Sequence, residues 1–201
     1  MTARAADALA GTRLAALWHL REKLVPAGPK SPHWRIHMST AQTSRQPDAL
    51  DILEADHRAV EQLFDAFDRA PHDDLERKAT LVQRACELLS IHSIVEEELL
   101  YPAARQALGG AKVIDVDEAY VEHFLVKTLI EKFANLKAGD AGFDATFTVL
   151  KENVTHHVEE EESTLFPEVR KTGVDLMTLG RKIEARKEAL QKRITDVAMA
   201  H

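Results

Sequence analysis

The chain has 201 residues, 45% hydrophobic and 29% charged, which is long and apolar enough for one domain with a hydrophobic core. Gly and Pro number only 8 and 7, which permits long helices, and no stretch reaches the ~20 apolar residues of a membrane span. The net charge of −7 is uneven: residues 1–46 carry seven Lys/Arg against two acids, leaving −12 on the remainder, and such an acidic body repels nucleic-acid phosphates while attracting cations.

In chain order, residues 1–46 read as a basic N-terminal extension and linker, poorly ordered, with Pro26, Pro29, Pro32 and a polar tract from Ser39 to Ser44. Residues 4–23 fit a basic amphipathic helix. Arg-rich, acid-poor segments of that kind serve targeting, and the alternative is that the chain proper starts at Met38. Residues 47–201 form the domain. Its first helix is predicted from about Leu50 to Ala70, with Leu53, Val60, Phe64 and Phe67 inward and Pro71 as the stop. The second starts near Asp73-Asp74, acids suited to a helix N-terminus, carries Leu81, Ala85, Leu88 and Leu99, and ends at Pro102. Cys86 lies in its apolar run and reads as a small core residue. As the sole cysteine it forms no internal disulfide, and a cytoplasmic protein is expected. Gly109-Gly110 breaks the chain. The third helix begins around Asp115, with Val116, Tyr120, Val126, Ile130 and Phe133 inward. After a loop over residues 138–142, the fourth carries Phe143, Phe147, Leu150, Val154 and Leu165 up to Pro167. A last helix, from Val174 to Met199, has Leu176, Ile183, Leu190 and Ile194 on one stripe. No segment reads as a strand. The expected fold is all-α: an up-down-up-down four-helix bundle with an additional C-terminal helix.

Each bundle helix has polar residues where its apolar stripe should continue. The stripes run Leu53, His57, Val60; Leu88, His92, Glu96, Leu99; Tyr120, His123, Val126; and Val154, His157, Glu161. A core-facing carboxylate is costly unless paired or bound to metal. His92 and Glu96 are four apart, as are His157 and Glu161, which puts each pair on one helix face. Nine residues after each of those His come Tyr101-Pro102 and Phe166-Pro167, and the intervals His57–His92 and His123–His157 are 35 and 34, so the chain reads as two similar helix pairs. At ~1.5 Å per residue, all four His lie about 10–14 Å from the same end of an antiparallel bundle. They can converge in one layer, with Glu96 and Glu161 one turn nearer that end and placed to bridge two ions. Four imidazoles and two carboxylates form a mixed N/O set that suits iron, manganese or zinc and leaves coordination positions open for small molecules.

These residues resemble the hemerythrin-like, or HHE cation-binding, family. The resemblance covers about residues 48–190. It rests on Asp56-His57, His92-Ser-Ile-Val-Glu96, His123, His157-Val-Glu-Glu-Glu161 and the two aromatic-Pro pairs. It implies a four-helix bundle with a non-haem di-iron centre. His57, His92, His123 and His157 would be terminal ligands, with Glu96 and Glu161 bridging. Family members bind oxygen, sense oxygen or iron, or handle peroxide and nitric oxide. Oxygen-carrying hemerythrins have a second His one turn after the third-helix His, where this chain has Lys127, and an Asp at +5 where it has Glu161 at +4. That departure weakens reversible oxygen carriage. It favours peroxide disproportionation, ferrous-iron oxidation or storage, and brings the pattern nearer to iron-sensing and iron–sulfur-repair relatives. Against repair, the chain has no cysteine-bearing N-terminal domain. The expected cofactor is two irons per chain, ahead of zinc or manganese. The expected partners are diatomic molecules or peroxide, not nucleic acid or membrane.

The acidic runs Glu97-Glu98, Glu159-Glu160 and Glu162 read as a solvated face, although Glu97 or Glu160 could complete a coordination shell. His156 points about 100° away from His157 and reads as exposed. Tyr120, one turn from His123, would either donate to a bound oxygen species or simply pack.

Overall fold

The structure, a computed structural model, describes residues 46–110 and 113–199. The expectations for residues 1–45, including the amphipathic segment and the Met38 start, lie outside the described residues. The described residues are helical and contain no strand.

Helix α1 spans Ala49–Asp68. Asp48 caps it, accepting from the backbone N–H of Leu50 and Asp51, while the Asp51 side chain accepts from the Asp48 N–H. Helix α2 spans Leu75–Val95, capped by Asp74, and passes into a π-helical turn over Glu96–Leu100. Helix α3 then covers Tyr101–Leu108. Helix α4 is Val113–Phe133 and α5 is Phe143–Glu160. A second π turn, Glu161–Leu165, leads into the short α6, Phe166–Arg170. Helix α7 is Leu176–Met199. Gly142, at φ 90°, takes the left-handed turn into α5 that a side chain would resist.

Helices α1 and α2 pack as one pair and α4 and α5 as the other, giving the expected up-down-up-down bundle, with α7 laid against α1 and α2. Where α1 and α4 end and α5 begins, Phe67 and Phe133 pack on Phe147 (ring centroids 4.3 and 6.2 Å) and Phe133 on Phe143 (5.4 Å), plugging that end with apolar rings. Each buried ring stabilises the fold by roughly 1.5–3 kcal/mol. Buried Lys78 sits at this end, over the Phe67 ring (5.0 Å) and paired with Asp144, while the six His and Glu residues singled out in the sequence occupy the other half of the bundle.

Two expectations need correction. The second and fourth helices do not stop at Pro102 and Pro167. In both, the proline sits just after a π turn, where the chain continues as α3 and α6. A proline inside a regular α-helix clashes with the carbonyl four residues back, and the wider turn relieves that clash. In α2, the buried stripe is Val82, Ala85, Cys86 and Leu89, while Leu81 and Leu88 are half-buried at its edge. The reason is α7: because α2 contacts both α1 and α7, its apolar sector is wider than one bundle face and is centred one residue further on.

Candidate metal centre

The structure brings all six singled-out residues together. His57 comes from α1, His92 from α2, Glu96 from the first π turn, His123 from α4, His157 from α5 and Glu161 from the second π turn. All are buried, at 5% exposure or less. Their Nε2 atoms turn inward: His57 and His92 are 3.2 Å apart, His123 and His157 3.1 Å. Glu96 Oε2 lies 3.0 Å from His92 Nε2 on its own helix and 3.3 Å from His123 Nε2 on the other pair. Glu161 Oε2 lies 3.6 Å from His157 Nε2 and 3.4 Å from His57 Nε2. Each carboxylate therefore sits between one imidazole from each half of the bundle. Two overlapping ligand groups result: His57, His92, Glu96 and Glu161, and Glu96, His123 and His157.

The π turns set what stands next to this cluster. The Tyr101 N–H donates to the Glu96 carbonyl and the Phe166 N–H to the Glu161 carbonyl, five residues back in each case. The extra residue returns Tyr101 and Phe166 to the faces of Glu96 and Glu161. Phe166 stacks on His57 (5.8 Å, 13° between planes). Tyr101 lies beside His123 (5.3 Å), and its hydroxyl donates to Glu161 Oε1 at 2.9 Å. Burial and the charges of Glu161 and Glu96 raise the phenol well above its ordinary pKa, so it stays protonated and remains a donor.

A ring of outer carboxylates orients the imidazoles. His57 Nδ1 donates to Glu162 (2.8 Å), His123 Nδ1 to Glu97 (3.1 Å) and His157 Nδ1 to Glu122 (2.7 Å). A carboxylate only accepts, so the proton sits on Nδ1 and the Nε2 lone pair of the neutral ring is directed inward, as metal ligation requires. His92 Nδ1 faces Asp56 at a longer 3.6 Å, and Lys187 of α7 holds Asp56 at 2.6 Å. The arrangement repeats across the two halves: Asp56 and Glu122 each precede a site His, and Glu97 and Glu162 each follow a site Glu.

Without a cation the centre is electrostatically incomplete. Burial acts to lower the His92 pKa, yet the nearby Glu96 and Asp56 outweigh it and raise it to about 10. Burial likewise opposes the charge on Glu96, but His92 and His123 hold it well below the ordinary carboxylate range. Glu96 is thus kept charged beside a protonated His92. Even so, Glu96 Oε1, Glu161 Oε2 and His92 Nδ1 are buried with no hydrogen-bond partner. Such orphaned polar atoms are costly in a protein interior. A cation between the two site carboxylates removes that cost for their oxygens, and the donor set of imidazoles and carboxylates fits one.

Sequence reasoning singled out the six residues and left two readings open for Tyr120, of which packing is the one found. Tyr120 does not enter the cluster: its hydroxyl donates to the Glu97 carbonyl at 3.3 Å and its ring packs edge-on against Tyr101 (5.1 Å). The tyrosine that reaches the centre is Tyr101, marked in the sequence only as part of an aromatic-Pro pair. Glu97 and Glu162 are not a solvated face, since each grips a buried imidazole. Lys127 turns to Glu97 and stays out of the cluster. His156 is exposed as expected, at 64%. The signal that could have found the outer carboxylates was in the sequence, because each adjoins one of the six residues.

Fold and site together define a class: a four-helix bundle whose core is interrupted by one layer of imidazoles and carboxylates suited to cations. The family model of the hemerythrin HHE cation binding domain matches residues 48–169, and the chain belongs to that family. The chain is similar to a DNA nickase of Nostoc sp., 28% identical over 72% of this chain and 40% of that protein. It is also similar to an uncharacterized hemerythrin-like protein of Schizosaccharomyces pombe, 28% identical over 60% of this chain and 59% of that one. It thus spans about 40% and 59% of the lengths of these curated relatives. Among solved structures, a hemerythrin HHE cation binding domain-containing protein of Mycobacterium kansasii is 25% identical, with a TM-score of 0.62 over 74% of this chain and 90% of that one. No helix among the described residues is long and apolar enough to cross a membrane.

Proposed function

We propose that the six residues hold two iron ions and that the protein binds oxygen, peroxide or nitric oxide at them, or reports on iron or oxygen supply, in the cytoplasm. The observation that carries this reading is the pair of buried carboxylates, each with an oxygen lacking a hydrogen-bond partner and each set between imidazoles of both halves. His57 and His92 would serve one ion, His123 and His157 the other, with Glu96 and Glu161 bridging. Bound iron would supply open coordination positions and one-electron redox steps. The chain's own residues orient the imidazoles through Glu162, Glu97 and Glu122, and supply one donor, the Tyr101 hydroxyl. Beside the imidazoles lies a cavity of about 10 Å³, walled by residues such as Val60, Leu89, Val126 and Val154. That is the room of about one water at most, which excludes a larger substrate.

The second reading is an enzyme at the same centre, disproportionating peroxide or oxidising ferrous iron. It is favoured by Lys127, which sits one turn after His123 and provides no fifth imidazole. Iron–sulfur repair is disfavoured, since the one thiol, Cys86, is fully buried in the apolar core. DNA nicking is named for a relative of which this chain matches 40%, and the acidic domain argues against a nucleic-acid partner.

The deciding measurement is elemental analysis of protein purified from iron-replete cells, joined to a search for near-ultraviolet ligand-to-metal charge transfer. About two irons per chain are expected, as in other carboxylate-bridged bundles. Metal-free protein that resists iron loading overturns the reading, and a native content of zinc or manganese overturns its iron. Steady oxygen release from peroxide selects the enzyme.

A further inference from the structure

The two halves of the bundle differ in what covers the outer carboxylates. In the first half α7 lies over α1 and α2, and Lys187 closes off Asp56. The equivalent carboxylate of the second half is Glu122; among the described residues no counterpart of α7 lies over it, although its side chain is as little exposed as that of Asp56 (17% against 18%). Glu122 lines instead a cleft of about 140 Å³ between α4 and the α5–π turn, a volume that holds several waters. The sequence changes accordingly. Positions that are Ala49, Ile52 and Val95 beneath α7 become Asp115, Glu118 and Glu160 around the cleft.

Mere solvent exposure would account for polar residues there, but not for a rim of one sign. None of the eight residues lining the cleft is cationic, and five are carboxylates. At its edge, His156 Nε2 lies 3.2 Å from Glu160 and 3.7 Å from Glu122, a nitrogen and two carboxylates within reach of one ion. The cleft also meets the centre. Glu161 is the one member of the six-residue cluster that lines it, is 2% exposed, and turns its partnerless Oε2 away from the cleft toward His57 and His157, so that one residue borders both spaces. Glu122, one wall of the cleft, holds His157 through Nδ1.

We propose that divalent metal ions reach the buried centre through this cleft, drawn in by Asp115, Glu118 and Glu160 and passed by Glu122 and His156 to Glu161. The inference rests on the metal-centre reading and adds to it the route of loading. A cleft lined by charge of one sign concentrates the opposite ion and speeds its arrival by roughly ten- to a thousandfold, an advantage that salt removes.

The test is anaerobic stopped-flow mixing of the metal-free full chain with Co²⁺, followed by its visible absorption, with final metal content measured afterwards. The triple variant Asp115→Asn/Glu118→Gln/Glu160→Gln removes rim charge without touching any of the six residues or Glu122. It is expected to load at least about tenfold more slowly at low salt, to reach the wild-type metal content, and to lose most of the salt dependence. Thr164→Arg, which places a guanidinium in the cleft, should slow loading likewise. Glu76→Gln/Glu184→Gln/Glu188→Gln makes the same charge change elsewhere and should load at the wild-type rate. Wild-type rates in the cleft variants, equal slowing by the distant triple, or a lowered final metal content in the cleft triple each overturn the route and leave the centre standing. Wild-type protein that takes up no cation overturns both.

Discussion

The Tyr101 hydroxyl, from the first half of the bundle, donates to Glu161 Oε1 of the second half at 2.9 Å, tying together the two π turns that present the site carboxylates. Phe166 occupies the matching position beside His57 and has no hydroxyl to offer, so the internal repeat breaks its symmetry here. Tyr101→Phe leaves the ring packing in place and strips Glu161 of this donor. The metal-free variant should lose about 1–3 kcal/mol of stability, the cost of an unsatisfied buried acceptor. Metal content should stay at the wild-type level. Chemical denaturation with and without metal reads the effect, and unchanged metal-free stability would show that the hydroxyl does not support Glu161.

The two ligand groups share Glu96, and each has its own imidazole pair. His57→Ala and His123→Ala should therefore each leave about one metal per chain, whereas Glu96→Ala should deplete both positions, because a shared bridging ligand supports both ions. Elemental analysis of the three variants under one loading protocol distinguishes this from a mononuclear site, in which every single loss would empty the protein.

Acid sensitivity should reach α1 through its cap. Asp48 is buried, and although burial opposes its charge, the Asp51 N–H, Arg170 (2.8 Å) and the Leu50 N–H outweigh burial and lower its pKa below 3.8. A depressed carboxylate stabilises the fold fully above its unfolded value, and that contribution is lost as pH falls through the folded value. Asp48→Ala should cost about 0.5–2 kcal/mol at pH 7. Asp48→Asn, which can still cap but carries no charge, should cost less and flatten the loss of stability below pH 4. Thermal melts from pH 7 to pH 3 give both results.

Gly180 lies in the second turn of α7, inside the helix where a glycine ordinarily weakens it, and its reason is contact. A Cβ there would come within 3.0 Å of the Ala49 backbone nitrogen and 3.1 Å of the Asp48 carbonyl carbon. Backbone at that distance cannot yield as a side-chain tip would. Gly180→Ala should destabilise the fold by about 1–3 kcal/mol despite its better helix propensity, with protection lost first in α7 and the start of α1. Hydrogen exchange measures it, and a stabilised variant would refute the close approach.

The sequence by itself determined the bundle and its six central residues. Both follow from local periodicity: His92 with Glu96, and His157 with Glu161, share a helix face because four residues make about one turn, and a polar residue on an apolar stripe has to point inward. Tertiary structure decided what lies further out. Tyr101 displaced Tyr120 because a π turn adds a residue to the helix, and no pattern with one fixed period records that shift. Glu97 and Glu162 became supports for imidazoles because His123 and His57, distant in sequence, face them across the bundle. Leu81 and Leu88 moved to the edge of the core because α7 covers α2 from a second side, and Glu122 came to line a cleft because, among the described residues, no counterpart of α7 lies over its half. Periodicity tells a residue which face of its own helix it is on, and only the packing of one helix on another tells it what it meets there.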